Sequence, residues 1–281
     1  LVGGTRVFME TSGTDNTYLY MAIVMSEGEI NSIEEVRVDD KVVTFASSLS
    51  DGTEVEVGSG DSNFYKNSES LIRIEPHFGT DNQSASDLLS TLSSWGSNHR
   101  LRGICYLALR FKWNQDAFTG IPKVQAKIKG KKVVTLASNL SEQTASFSTN
   151  PAFCLLDYLR NERYGKGIAT SEIDLQSFYD ASQVCVTQVT PYSGASDINI
   201  FDTNTVLDTS QKIIDNVREL LKGCRGYLPY TGGKYKLIIE TTGSASITLT
   251  EDDIIGGYNL SIPTKNERYN RVIVGFVNPD R

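Results

Sequence analysis

The chain has 281 residues, of which 39% are hydrophobic and 22% charged, with a formal charge of -7 and an isoelectric point near 5.0. That length supplies the interior of two or three domains, and the acidic balance argues against a primary nucleic-acid binder, which carries a basic face. The longest apolar run, YLYMAIVM from Tyr18 to Met25, falls well short of the roughly 18 residues that a membrane-spanning helix requires and predicts a buried strand instead.

Residues 1–148 read as mostly β. TRVFME, YLYMAIVMS, EEVRVDDKVVTF, TEVEVG and SLIRIEPHF are strand candidates bounded by Gly, Asn, Asp and Ser turn chemistry. A short helix is expected near 86–95, capped by Ser86 and burying Leu88, Leu89 and Leu92. Two further strands, RGICYLALRFKW and KVQAKIKGKKVVTLA, flank a loop with Gly120 and Pro122. The basic run KIKGKK, Lys127 to Lys132, alternates with apolar residues and fits a strand with one solvated face.

Residues 149–241 predict an α+β segment with three helices and a β-hairpin. In NPAFCLLDYLRNERYGKGI, Asn150 suits the N-cap and Pro151 the first helical position, and Phe153, Leu156 and Leu159 repeat at helical spacing. Arg160 and Arg163 complement the C-terminal end, and Gly165 is expected to stop the helix in a left-handed conformation. A second helix is predicted from Asp174 to Cys185, and a third from near Asp208, where Gln211 makes a capping-box-like pair, to Gly223. CRGYLPY and KYKLIIE around TGG give the hairpin. Residues 242–281, with an acidic turn at Glu251 to Asp253 and the strand NRVIVGFV, read as the start of a further β domain. A chain that opens on Leu1 without an initiator Met and stops after NPDR is expected to be a piece of something longer. The fold class is therefore α+β and β-rich, a multi-domain architecture of mixed sheets or barrels with three to four helices.

Reactive chemistry is sparse. Cys105, Cys154, Cys185 and Cys224 are widely spaced with no CxxC pair, which predicts reduced core thiols and assembly in a cytosol rather than a zinc site. His77 and His99 are the two histidines, and HExxH is absent. GDSN at Gly60 to Asn63 reads as a turn, because no later Asp-x-x-His exists to activate its serine. GSGDSN lacks the third glycine and the following helix of a dinucleotide loop, and DTNTVLDTSQKI places Leu207 and Ile213 where a calcium loop needs Gly and Glu. Tyr227, Tyr230 and Tyr235 are expected to pack in the core, with a sugar- or partner-binding face as the alternative. No catalytic, cofactor or metal residue is assigned.

Several segments in one order carry a resemblance. TSGTDNTYLYMAIVMSEGEINSIEEVRVDDKVV, HFGTDNQSASDLLSTLSSWGSNHRLRGICYLALRF, FTGIPKVQAKIKGKKV, NPAFCLLDYLRNERYGKGI, IDLQSFYDASQVC and RYNRVIVGFVNPD resemble, in that order, the central tail hub of long-tailed bacteriophages, the tail tip attachment protein J family. The resemblance implies a nonenzymatic virion component at the tail tip, assembled in the host cytoplasm as a homotrimer. Its partners would be other tail-tip proteins and the tape measure protein, with DNA passing through without sequence-specific binding. Host attachment would fall to parts outside this fragment. Arg160, Glu162, Arg163 and Tyr164, at the end of the first helix, are the candidate intersubunit or interdomain contact. The alternatives are a cell-wall glycan hydrolase, which needs two facing carboxylates, and a host-glycan-binding module using the tyrosines.

Overall fold

The structure, a computed structural model, describes residues 1–241 and 247–257 and the positions 259, 261, 262, 264, 269, 271 and 273. It divides into two units, Leu1–Glu240 and Thr241–Arg281. The larger is α+β and β-rich; among the described residues its sheets are antiparallel, none closes into a barrel, and three α-helices are present. In the smaller unit Glu251–Asp253 forms a single turn in which the Thr250 N–H donates to Asp253 Oδ2 at 2.8 Å and the Asp253 N–H to the Thr250 carbonyl at 3.1 Å. The strand expected over NRVIVGFV lies largely outside the described residues.

Six strands carry the β part: β1 (Thr5–Ser12), β2 (Tyr18–Glu27), β3 (Ile30–Val38), β4 (Ile72–Phe78), β5 (Ile104–Lys112) and β6 (Val124–Val133). One sheet runs β1-β2-β5-β4 and ends on the short strand Val55–Glu56; the other runs Val2–Gly3, β6, β3, Lys41–Val42, with Ser146–Phe147 also paired to β6. Met21, Ile23 and Met25 of β2 and Leu107, Leu109 and Phe111 of β5 share a core with Ile30, Ile33, Val36, Val124 and Ala126 of the second sheet. The opposite face of β2 and β5, with Tyr20, Ala22, Tyr106 and Ala108, is covered by Leu88, Leu89, Leu92 and Trp95. Because both faces are removed from water, these strands read as continuous apolar runs rather than alternating ones.

The segment 86–95 is not the helix that its leucines predict. Only Leu89–Thr91 forms a 3-10 turn, and Leu92 leaves it in an extended conformation. Ser86 does act locally as a cap, its Oγ accepting the Leu89 N–H at 3.2 Å. The hydroxyls of Ser90 and Thr91 donate back to the carbonyls of Ser86 (2.6 Å) and Leu88 (2.8 Å). Such side-chain bonds compete with helix propagation, and the apolar side chains spread over a sheet instead of stacking along one helical stripe.

Helices α1 (Pro151–Arg160), α2 (Leu175–Cys185) and α3 (Ile213–Lys222) form a second core with Val133, Leu136, Leu237 and Ile239. Asn150 caps α1, its Oδ1 accepting the Ala152 N–H at 3.0 Å while its Nδ2 donates to the Ser182 carbonyl at 3.0 Å. Asp174 caps α2 by accepting the Ser177 N–H at 3.3 Å. Helix α3 starts five residues later than Asp208. Asp208 spends its carboxylate on the Ser210 N–H (2.8 Å), and its carbonyl accepts from Gln211 N–H (3.1 Å) and from Asn216 Nδ2 (2.9 Å), which makes a turn in place of a first helical turn. Gly223 follows α3 in right-handed geometry, and Arg225 takes the left-handed one at φ 52°. The hairpin turns at Gly232 and Gly233, with φ of 62° and 76°, between Tyr230–Thr231 and Lys234–Tyr235.

Candidate functional site

Of the four predicted contact residues, Arg160 ends α1, and Glu162, Arg163 and Tyr164 lie on the loop that closes it. Asn161 is extended, and its Oδ1 accepts the N–H groups of Arg163 (2.9 Å) and Tyr164 (3.1 Å), turning the chain back on itself. The N–H groups of Lys166 and Ile168 then satisfy the Tyr158 and Leu159 carbonyls at 3.2 and 2.8 Å, closing a helix end that would otherwise leave acceptors unpaired. Gly165 is needed for space, not for a left-handed backbone: a Cβ there would sit 1.8 Å from the Tyr158 carbonyl oxygen. The left-handed residue is Gly167, at φ 68°.

From this loop three of the four side chains engage the rest of the chain. Arg160 pairs with Glu142 at 2.6 Å, and Arg163 forms an ion pair with Glu27 at the end of β2. The Tyr164 hydroxyl donates to Asp157 Oδ2 at 2.5 Å, and its ring lies 5.2 Å from Lys131 Nζ, itself 3.0 Å from Asp157. Burial, reinforced by the adjacent Asp157 carboxylate, pushes the Tyr164 phenol well above its ordinary range. Glu162 is exposed. The loop thus braces α1 against β2 and β6. Carboxylates also neutralise the basic run on β6: Glu34 lies 3.2 Å from Lys129 and 3.5 Å from Lys127, and Glu29 pairs with Lys132. The hydrogen bond from Lys129 holds the Glu34 carboxyl below its usual value.

A second polar group went unrecognised in the sequence. Glu75 on β4, 2% exposed, accepts from His77 Nε2 (3.0 Å), from the Ser86 hydroxyl (2.5 Å) and from the N–H groups of Leu88 (2.8 Å) and Asp87 (3.2 Å). His77 stacks on Tyr106 with ring centroids 4.4 Å apart. Serine, carboxylate and histidine are adjacent but wired in the wrong order for a nucleophile. Ser86 and His77 both donate to the carboxylate, whereas an activated serine donates to the histidine. The group is a pin that fastens the 86–95 segment to the sheet. Its one legible signal was a Glu and a His two apart on a strand whose alternate residues, Ile72, Ile74, Pro76 and Phe78, are apolar. Above it lies a polar recess of about 340 Å³ that includes Asp51, Asn82, Gln83 and Asp87, with Asp51 accepting the Phe78 N–H at 2.6 Å. An apolar hollow of about 350 Å³ lies among Met9, Leu19, Phe111, Trp113, Phe118 and Ile121. Among the described residues no three His, Cys, Asp or Glu side chains converge as metal ligands would.

No protein-family model matches the chain. Against curated proteins, 99% of it aligns at 24% identity with baseplate hub protein pb3 of Escherichia phage T5. The chain resembles a phage baseplate hub protein. It spans about a third of that relative's length, the alignment covering 35% of it.

The remaining motifs fall where local chemistry puts them. In GDSN, Asp61 accepts the N–H groups of Thr44 (2.7 Å), Asn63 (2.8 Å) and Phe64 (3.0 Å), tying a turn to the segment that follows Lys41–Val42. Asp202 of the calcium-like stretch accepts the Thr149 hydroxyl at 2.6 Å. His99 sits beside Trp95, ring centroids 5.1 Å apart. Of the three tyrosines expected in the core, Tyr227 and Tyr230 are exposed, at 61% and 57%, and Tyr235 is half-buried beside Tyr230. The hairpin is covered on one face only: Ile239 is buried, while Tyr227 and its cross-strand partner Ile238 point outward. All four cysteines are free thiols, and burial pushes Cys105 and Cys154 up to about 12.

Proposed function

We propose that the chain is a nonenzymatic structural segment of a bacteriophage tail-tip hub, of the tail tip attachment protein J kind. The observation that carries this reading is the alignment of 99% of the chain with a baseplate hub protein. In this role identical copies form a homotrimer that closes the distal tail tube, meets other tail-tip proteins and the tape measure protein, and lets DNA pass without sequence-specific binding. Assembly takes place in the host cytoplasm, and host attachment uses parts beyond these residues. Two stacked sheets braced by a helical layer supply the stiffness such a ring needs, and closed cyclic symmetry lets one surface serve every copy. The net charge of -7 supports a lumen that repels the DNA backbone. The reading keeps domains at 1–148 and 149–241, supported by a sheet core and by a helical core that takes Val133 and Leu136 from the first, with 242–281 opening a further β domain.

Electron microscopy of intact particles tests the reading. Density for this polypeptide is expected in threefold arrangement at the distal end of the tail, and its absence from that end overturns the proposal. Arg160, Glu162, Arg163 and Tyr164 stand in this reading beside a neighbouring subunit. Because Arg163 also pairs with Glu27, the test is the charge swap Arg163→Glu with Glu27→Arg, which keeps the internal pair. Hub assembly is expected to fail in the swap; unchanged assembly rules out an essential contact at Arg163. The exposure of Tyr227 and Tyr230 favours a second reading, a host-glycan-binding face. Glycan-array binding lost on replacing both would support it.

A further inference from the structure

The apolar hollow in the sheet region and the outward face of the hairpin are two exposed apolar surfaces with opposite charge around them. The hollow has a fixed floor and an open rim. Phe111 and Phe118, both buried, meet edge to face with ring centroids 5.6 Å apart. The loop that walls it is held in place, the Trp113 N–H donating to the Thr17 carbonyl at 2.8 Å and the Phe118 N–H to the Asn114 carbonyl at 3.0 Å. Met9, Trp113 and Ile121 line the same hollow yet are 45%, 55% and 56% exposed. Single apolar side chains are ordinary on a surface, whereas a walled group of them marks a place for a partner. Asp15, next to the lining residue Asn16, and Asp116, two residues before Phe118, flank it; both are exposed, and among the described residues neither has a cationic partner. The nearby lysines are already paired, Lys112 with Glu69 and Lys123 with Asp40.

The hairpin shows the converse. Beside the exposed Tyr227, Tyr230 and Ile238 stand Arg225 and Lys234, also exposed and, among the described residues, without a carboxylate partner. Arg225 lies over the Phe201 ring at 5.4 Å, and Lys236 is taken by Asp174 at 3.5 Å. The two free cations outnumber Glu240 at the hairpin's end. Exposed apolar residues also occur at Tyr192, Ile198 and Val206, but the stretch 186–208 contains Asp197, Asp202 and Asp208 and no Lys or Arg, so an acidic rim would repel it.

We propose that the hollow is a socket for the hairpin of a second copy of this chain, with Tyr227 and Ile238 of one copy entering the hollow of the next and Arg225 and Lys234 facing its Asp15 and Asp116. Tyrosine suits such an anchor, its ring filling an apolar pocket while the hydroxyl stays at the wet rim. Socket and hairpin are different surfaces of one chain, so the contact is heterologous and closes into a ring instead of ending at a dimer. It rests on the hub reading and names the surfaces through which its copies meet. One socket is smaller than the roughly 1,200–2,000 Å² that a stable interface buries, so the assembled tail is the state to test.

The test places Ile121→Cys and Ile238→Cys, both exposed positions, in the full-length protein, assembles tails and adds a short bis-maleimide. Chains carrying both substitutions are expected to link into dimers and trimers. A mixture of the two single variants should give dimers only, and either single variant alone no link. In a second arm, Asp116→Lys should lower the yield of tails several-fold, and Lys234→Asp in the same chain should restore it. Tails that contain the protein at the distal end but give no link between chains, a link within one chain, a link between two Ile121→Cys chains, or no rescue by the second charge change would each overturn the contact while leaving the hub reading standing. Absence of the protein from the distal end would remove both.

Discussion

In β5 every side chain from Cys105 to Leu109 is buried, whereas in the hairpin of Gly226–Tyr227 and Ile238–Ile239 burial alternates, with Ile239 inside and Tyr227 and Ile238 outside. Both are strands rich in apolar and aromatic residues. What separates them is the number of layers: the first sheet has a second sheet on one face and the 86–95 segment on the other, while the hairpin has only the helical core. A strand's apolar content therefore reports how many covers it can accept, and the covers decide how much of that content is used.

The sharpest way to break this comparison is to truncate one residue in each region. Leu107→Ala opens a cavity between the sheets and should cost about 2–5 kcal/mol, whereas Ile238→Ala, at a position 50% exposed, should stay within about 0.5 kcal/mol. Urea unfolding of the two variants measures both; equal losses would mean that the double cover contributes nothing special.

The Glu75 pin comes next, since it holds the extra cover in place. Glu75→Gln removes the charge that four donors address and should cost about 1.5–3 kcal/mol. Burial pushes the Glu75 carboxyl up, but donors from His77, Ser86 and Leu88 outweigh it and hold it below the ordinary value. A carboxyl whose folded pKa is depressed contributes stability that is fully present above the unfolded value of about 4.3 and is lost as pH falls through the folded value. The gap in urea midpoint between wild type and Glu75→Gln should accordingly narrow in acid. A gap independent of pH would remove the charge from the explanation.

The smallest effects belong to the loop after α1, where backbone and surface contributions can be told apart. Gly165→Ala forces a Cβ into the Tyr158 carbonyl and should cost about 1–3 kcal/mol. Arg163→Ala removes an ion pair whose arginine is 63% exposed and should cost less than about 1 kcal/mol, shrinking further in salt. Thermal melts at low and high salt check both; a large salt-sensitive loss at Arg163 would mean that the pair with Glu27 braces the chain more strongly than its exposure implies.

The sequence by itself determined what short-range chemistry controls. Asn150 and Pro151 start α1, Asp174 starts α2, TGG turns the hairpin, and the apolar runs of β2 and β5 read as buried strands, because each signal is satisfied within a few residues of itself. Of the candidate site, the helix end carrying Arg160 to Tyr164 was legible, but its partners Glu27, Lys131 and Glu142 were not, since they arrive from distant strands and loops. Only the tertiary structure decided that Ser86 serves Glu75 rather than a helix, that Gly165 is there for room, and that Tyr227 and Tyr230 stay outside. The physical reason is the same in each case: a cap or turn is closed by its own neighbours, whereas burial, close approach and charge pairing depend on which remote surface is laid against the residue.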